Sequence, residues 1–238
     1  PLSGMMYSER NDSPRKEPLK HFGVGLFGVN GGTHRQHRQL LMPAFHKQRI
    51  DSYRDDMVAI SQSVLEQLTI DKAVDIAQVM RLLTLRIATK TLFGSDVGEE
   101  GAKSGQILQD ALAMNGNLAT ALLPFDITGL PYHQLLNLFA QLDKEIRLLI
   151  RRKRASSEDN GDVLSMLIRA RDAETGLTLN ENELLGHAGV IFGAGHETSA
   201  NAITWTLFLL SQHPQIAAYV LDELQSVLNG VAPTVEQL

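Results

Sequence analysis

The sequence contains no cysteine. Within these 238 residues that excludes disulfides, thiolate metal sites and cysteine nucleophiles. It also lacks any run approaching ~20 uninterrupted apolar residues, so no membrane span is visible. The first eighteen residues, PLSGMMYSERNDSPRKEP, have no apolar core and are not a signal peptide. Position 1 is not methionine, and the chain is expected to begin partway through a longer protein. A basic surplus is missing too: the formal net charge is −5, which gives no reason to expect nucleic acid as a partner. The longest basic run, Arg151 to Arg154, follows LDKEIRLLI and reads as the last turn of a helix, where cations suit the dipole. Strand-like alternation is nearly absent as well. With 43% hydrophobic and 21% charged residues, the chain has the composition of a soluble globular protein, and its fold class reads as all-α.

What is present is helical spacing. Residues 1–30 read as irregular, with Pro14, Pro18 and several glycines. A helix is expected from Thr33 to Met42, with Thr33 as N-cap, Gln36 completing a capping box and Pro43 stopping it. Apolar steps of three and four at Ile50, Tyr53, Met57, Ile60, Val64 and Leu68 predict a second helix over 47–68. A third is expected over 75–93, closed by Gly94. Residues 99–123 read as a looser helix interrupted at 115–117, Pro131 opens a long amphipathic helix, and a short one covers 162–173. Asn180 and Glu183 form a second capping box. No proline follows until Pro214, so a helix of about 32 residues, roughly 48 Å long, is expected between them. Pro214 starts another helix, which Asn229-Gly230 ends.

Few motifs survive comparison with a plain structural reading. Gly23, Gly25 and Gly28 fit G-x-G-x-x-G, but the preceding SPRKEPLKH is no strand, and a flexible glycine-rich loop is the better reading. His196-Glu197 opens like a zinc-protease H-E-x-x-H, yet position 200 is alanine, so the metal reading fails. Glu183 and His187 share a helix face and read as a surface pair. His34 and Arg38, at i and i+4, could bind a carboxylate or simply form a solvated polar face. In AGHETS, Ala194 and Gly195 leave no side-chain bulk, so a flat, wide group could lie there. A weak turn could also open the backbone ladder, and Glu197 and Thr198 could relay a proton. Equally, the glycine could serve helix packing, with Thr198 bonding the Ala194 carbonyl.

Two segments together resemble the cytochrome P450 family. Ala194-Gly195-His196-Glu197-Thr198-Ser199 matches its [AG]-G-x-[DE]-T-[ST] signature of the central I helix, and ITWTLFLLSQHPQ its continuation into the J helix. His34, Arg38, Pro43 and Phe45 are similar to the C-helix pattern W/H-x-x-x-R followed by P-x-F. The resemblance covers nearly the whole chain. It implies one partial domain: a loop over 1–32, helices C to H over 33–179, the I helix over 180–213, and the J helix with its following turn over 214–238.

By the same resemblance, Arg38 and His34 are expected to bind haem propionates, and Ala194 and Gly195 to lie beside the haem. Thr198 is expected to hydrogen-bond the oxygen being activated, and Glu197 to feed protons. Ile191, Phe192, Leu26 and Phe27 are expected at the substrate, with GNLATALLPFD as a cover. The implied cofactor is haem b, with electrons from NAD(P)H through a ferredoxin or reductase. The implied reaction hydroxylates or epoxidises a small lipophilic substrate with O2, in a soluble, cytoplasmic, bacterial-type protein. The family's axial cysteine and its E-x-x-R pair are absent, and no metal ligand is expected in this chain. The resemblance therefore implies an incomplete chain, roughly half of a full-length enzyme and inactive alone. The alternative is a non-catalytic helical protein that binds hydrophobes or acts as a scaffold and has lost the thiolate.

Overall fold

The structure is a computed structural model that describes residues 16–94, 105–107, 109–111, 113–114, 116–155, 161–172 and 175–237. Among them the elements are helical, apart from one isolated antiparallel bridge, Arg171 to Thr178. The expected all-α class holds. The helices are α1 (Glu17–Gly23), α2 (Gly31–Leu41), α3 (Lys47–Leu65), α4 (Ile76–Phe93), α5 (Leu118–Leu122), α6 (Pro131–Ala155), α7 (Val163–Arg169), α8 (Glu181–Gln212) and α9 (Pro214–Leu228), with 3-10 turns at Met42–Phe45 and Val235–Gln237. The chain divides into two compact units, Pro1–His46 with Thr89–Ala194, and Lys47–Ala88 with Gly195–Leu238.

In the first unit, α6 supplies the core. Leu135, Leu136, Phe139, Leu142, Ile146 and Ile150 are buried along one face, each worth about 1.5–3 kcal/mol if fully removed from water. Leu19 of α1 joins this cluster, and the Phe22 ring lies 5.1 Å from that of Phe139. The basic run behaves as a helix terminus. Lys153 reaches the buried Asp162 at 2.7 Å, while Arg151 and Arg154 each lie 3.8 Å from Glu181. Asp162 caps α7 through the Ser165 N–H and also accepts from the Ser165 hydroxyl.

Asn180 caps α8 as expected. Its side chain accepts from the Glu183 N–H at 3.0 Å, and the Glu183 carboxylate accepts from the Asn180 N–H at 2.8 Å. The following residues Leu184, Leu185, Ala188 and Phe192 are buried, and Phe192 stacks on Phe93 at 5.9 Å.

In the second unit, Ile60 and Val64 of α3, Met80 and Leu85 of α4, and Ala200 of α8 are buried. Arg86 donates to the Ser63 hydroxyl at 3.2 Å. Arg54 donates to the Pro233 carbonyl at 2.7 Å and the Ala232 carbonyl at 3.2 Å, holding the end of the chain against α3. Helix α9 buries none of its residues and ends where Asn229 turns left-handed at φ +51°.

Four expectations change. The segment before α2 is not wholly irregular: Pro18 sits in the first turn of α1, where its missing N–H costs nothing, with Glu17 at the N-terminal and Lys20 and His21 at the C-terminal end. Helix α2 begins at Gly31 rather than Thr33. Gly31 takes φ +61°, a conformation open to glycine, so the helix starts two residues early and the Thr33 capping box does not form. Helix α7 stops at Arg169, because Asp172 instead accepts from the Thr175 N–H and hydroxyl and closes a turn across the bridge. Of the looser helix, residues 99–104 lie outside the described residues; residues 105–107, 109–111 and 113–114 are helical, and α5 restarts with Asn117 as its cap.

Nor is the glycine-rich loop a free one. Gly25 packs on Gly186, and a Cβ added to Gly186 would sit 2.6 Å from the Gly25 nitrogen and 2.8 Å from the His21 carbonyl oxygen. A Cβ on Gly189 would meet the Phe22 ring at 2.5 Å. Gly25 and Gly186 let α8 approach the segment after α1 at backbone distance, and Gly189 makes room for the Phe22 ring. Gly186→Ala is therefore expected to destabilise by about 1–3 kcal/mol, as overpacking does. Gly32→Ala, where nothing lies within 4 Å, should stay within about 0.5 kcal/mol. Thermal unfolding midpoints of the two variants check this.

Candidate functional site

Helix α2 separates its side chains by face. His37, Leu40 and Leu41 are buried, whereas Arg38 is exposed and His34 is half-buried. The i, i+4 spacing places His34 and Arg38 on one side of the helix. Neither side chain has a hydrogen-bond or ion-pair partner among the described residues. A guanidinium and an imidazole thus stand together with their donors unspent. Ahead of α2, Leu26 is half-buried and Phe27 is 79% exposed.

Helix α8 carries the remaining candidates. It runs unbroken as α-helix through the AGHETS turn, so the ladder does not open there. Room at this turn comes from absent side chains. Ala194, Gly195, Glu197 and Thr198 are exposed, and a Cβ added to Gly195 would meet nothing within 4 Å. Gly195 therefore differs from Gly186 and Gly189, whose missing side chains are filled by neighbours. Packing against another element does not explain it. On the same helix Phe192 is buried and Ile191 half-buried.

His196 points the other way. It is 1% exposed, and its Nδ1 lies 2.9 Å from the hydroxyl of the buried Thr84. Burial pushes its pKa below the ordinary histidine value; Arg81 adds to this and Glu197 opposes it.

A second histidine site escaped the sequence reading. Glu183 and His187 are not a surface pair. His187 is fully buried, and its Nε2 lies 3.1 Å from Nδ1 of His37, the rings meeting edge to face at 5.0 Å. Glu183 stands 3.6 Å from His37 Nε2. A carboxylate there favours the proton on His37 Nε2, so His187 Nε2–H donates to the bare His37 Nδ1. That leaves His187 Nδ1 as a buried acceptor with no hydrogen-bond partner among the described residues. Burial, and secondarily His37, hold the His187 pKa down at about 4. Its neighbours Leu184, Leu185 and Ala188 are buried with it, but a histidine four residues from a glutamate reads first as a helix-surface pair.

The described residues include no cluster of histidine and carboxylate groups able to hold a metal ion. No helix among them is long and apolar enough to cross a membrane.

The family model for cytochrome P450 matches residues 4–238. The chain belongs to the cytochrome P450 family. Among curated relatives, this P450 chain is 32% identical to cyclooctatin synthase of Streptomyces melanosporofaciens over 92% of its own length and 49% of the relative's. It is 29% identical to pentalenene oxygenase of Streptomyces avermitilis (89% and 47%) and 30% identical to a cytokinin hydroxylase of Arabidopsis thaliana (91% and 44%). The solved cyanobacterial CYP120A1 with retinoic acid bound superposes with a TM-score of 0.77 at 22% identity, covering 99% of this chain and 53% of that one. The heme domain of cytochrome P450DA gives 0.75 at the same identity. The likeness to these structures is one of fold. The chain spans about half the length of the curated relatives it matches.

Two outcomes follow from the site geometry. Gly195→Ala should stabilise the helix by up to about 1 kcal/mol, because the added methyl meets nothing and alanine favours helix; an unfolding midpoint at or above wild type checks this. His187 gives an acid-sensitive core. Its folded pKa of about 4 lies below the ordinary 6.5, so the folded state is not penalised above pH 6.5 and loses stability as pH falls from there toward 4. The loss should approach roughly 3 kcal/mol, and His187→Leu should flatten that decline in denaturation curves taken between pH 7 and 4.5.

Proposed function

We propose that the full-length protein is a haem-dependent monooxygenase acting on a small lipophilic substrate. The observation that carries this reading is the open turn at Gly195: a helix buried on its His196 side presents Ala194, Gly195, Glu197 and Thr198 without a covering side chain at the glycine. Taken unit by unit, the residues present suit parts of a haem: Gly195 of the second unit offers space to a flat apolar group, and Arg38 and His34 of the first offer unspent donors to carboxylates such as propionates. In this reading α2 and α8 take the places of the family's C and I helices. The names of the relatives, an oxygenase, a hydroxylase and a cyclooctat-9-en-7-ol 5-monooxygenase, support the reaction type.

Haem b, when bound through a thiolate, supplies the redox chemistry that activates O2. The chain's own residues supply position and protons. Arg38 would anchor one propionate, with His34 on it or its twin. Ala194 and Gly195 keep side-chain bulk away from the reacting centre. Glu197 would take protons from solvent and pass them toward the Thr198 hydroxyl, which would hold one on the side of the helix left open at Gly195. Ile191 shapes the substrate side, with Leu26 and Phe27 before α2, whereas Phe192 is buried against Phe93 and supports it from behind. Electrons come from NAD(P)H through a ferredoxin or reductase, in a soluble cytoplasmic enzyme. The axial cysteine is supplied by sequence beyond these 238 residues, and this portion alone is inactive.

The reduced, CO-bound Soret band of the full-length protein tests the proposal: a thiolate-type band is expected, and its absence would leave the non-catalytic hydrophobe-binding reading. In that full-length protein Arg38→Ala should lower haem occupancy after dialysis, whereas retention at the wild-type level would remove the propionate role. Thr198→Ala should raise the fraction of electrons lost to peroxide and lower product per NAD(P)H by tenfold or more; unchanged coupling would exclude Thr198 as the proton donor.

A further inference from the structure

His196 lies between Gly195 and Glu197, yet it shares none of their exposure. It is 1% exposed, and its partner Thr84 on α4 is 5% exposed. The hydroxyl of Thr84 lies 3.0 Å from the Met80 carbonyl oxygen and 3.3 Å from that of Arg81. Its single proton is spent on these acceptors, so the Thr84 oxygen is left to accept, and His196 Nδ1–H donates to it across 2.9 Å. The bond fixes the tautomer: Nδ1 carries the proton. Because burial holds the imidazole neutral near pH 7, the donor stays the same through that range.

We propose that His196 is a positioning residue that sets the rotation of α8 at this turn and thereby aims Glu197 and Thr198, an inference that rests on the function proposed above. Successive residues of an α-helix are 100° apart. Holding position 196 inward places 195, 197 and 198 away from it, as their exposure shows. Glycine at 195 adds no side chain to resist a roll of the helix, and the open space beside it provides no contact. At a side-chain radius of about 5 Å, a roll of only 20° would carry the Thr198 hydroxyl by about 2 Å, well outside the narrow distance range of a hydrogen bond. A roll in one sense would also begin to bury the Glu197 carboxylate, which is costly without a partner. The buried bond to Thr84 opposes both displacements.

The test uses the full-length protein with His196→Leu and Thr84→Val, which keep volume and remove donor or acceptor, and Thr84→Ser, which restores the hydroxyl. Nitrogen-15 NMR of His196 should show the Nδ1–H tautomer in the wild type, and an Nε2–H tautomer would overturn the assignment. Amide hydrogen exchange over residues 195–199 should rise tenfold or more in His196→Leu and Thr84→Val and return to within twofold of wild type in Thr84→Ser. The peroxide fraction should rise several-fold in the same two variants, no further in their combination, and not in Thr84→Ser. Exchange within twofold of wild type in every variant, or faster exchange and a lower unfolding midpoint with an unchanged peroxide fraction, would reduce His196 to a core residue. Should the protein lack a thiolate-type CO band, the proposed function falls. The exchange and tautomer measurements, which need no haem, then decide the positioning role alone.

Discussion

The AGHETS turn is packed on one side, through His196, and bare on the other, at Ala194, Gly195 and Thr198. The capping box of Asn180 and Glu183 starts the helix at a defined residue. Residues 184–189 are buried in succession, whereas over 190–200 only Phe192, His196 and Ala200 are buried, a spacing of four that puts them on one side of the helix. Gly186 lets α8 pack at backbone distance, Gly189 makes room for the Phe22 ring, Phe192 stacks on Phe93, and His196 donates to Thr84. At the AGHETS turn His196 is buried while Ala194, Gly195 and Thr198 are exposed. The glycines of α8 therefore play opposite roles. Gly186 and Gly189 are small because something fills the space, and Gly195 is small where the space is open.

The polar groups divide in the same way. Inside the first unit, ionisable side chains are matched: Lys153 with Asp162 and Ser165, His37 with His187 and Glu183, Arg147 with Asp143 and Glu181. Burial makes such pairing compulsory, since an isolated charge would be pushed to neutrality or would destabilise the fold. His34 and Arg38 stand apart because their donors meet no partner among the described residues. Unspent donors on the rim of a helix cost little in water, and they are what a carboxylate ligand requires.

The apolar surface also divides. Trp205 and Phe208 meet edge to face at 5.7 Å while remaining 63% and 50% exposed. Helix α9 leaves Tyr219, Leu221 and Leu224 exposed. Exposed apolar helices of this kind usually mark contact surfaces.

The sequence by itself determined the helices, because the repeat of apolar residues, the two prolines at helix starts and the Asn180–Glu183 cap are local signals that act within a few residues. It also determined the membership of the chain, through the two P450-like segments. It misplaced the start of α2, because the positive φ of Gly31 depends on the backbone path and not on residue type. It missed α1, seven residues long and carried by the burial of Leu19 against α6. Only the tertiary structure decided what each small or polar residue in α8 faces. Gly186 and Gly195 are the same residue, and His187 and His196 both look like polar interruptions of an apolar helix. Whether such a residue meets backbone, a threonine hydroxyl, another imidazole or open space is set by chain segments from 112 to 165 residues away, which no local pattern records.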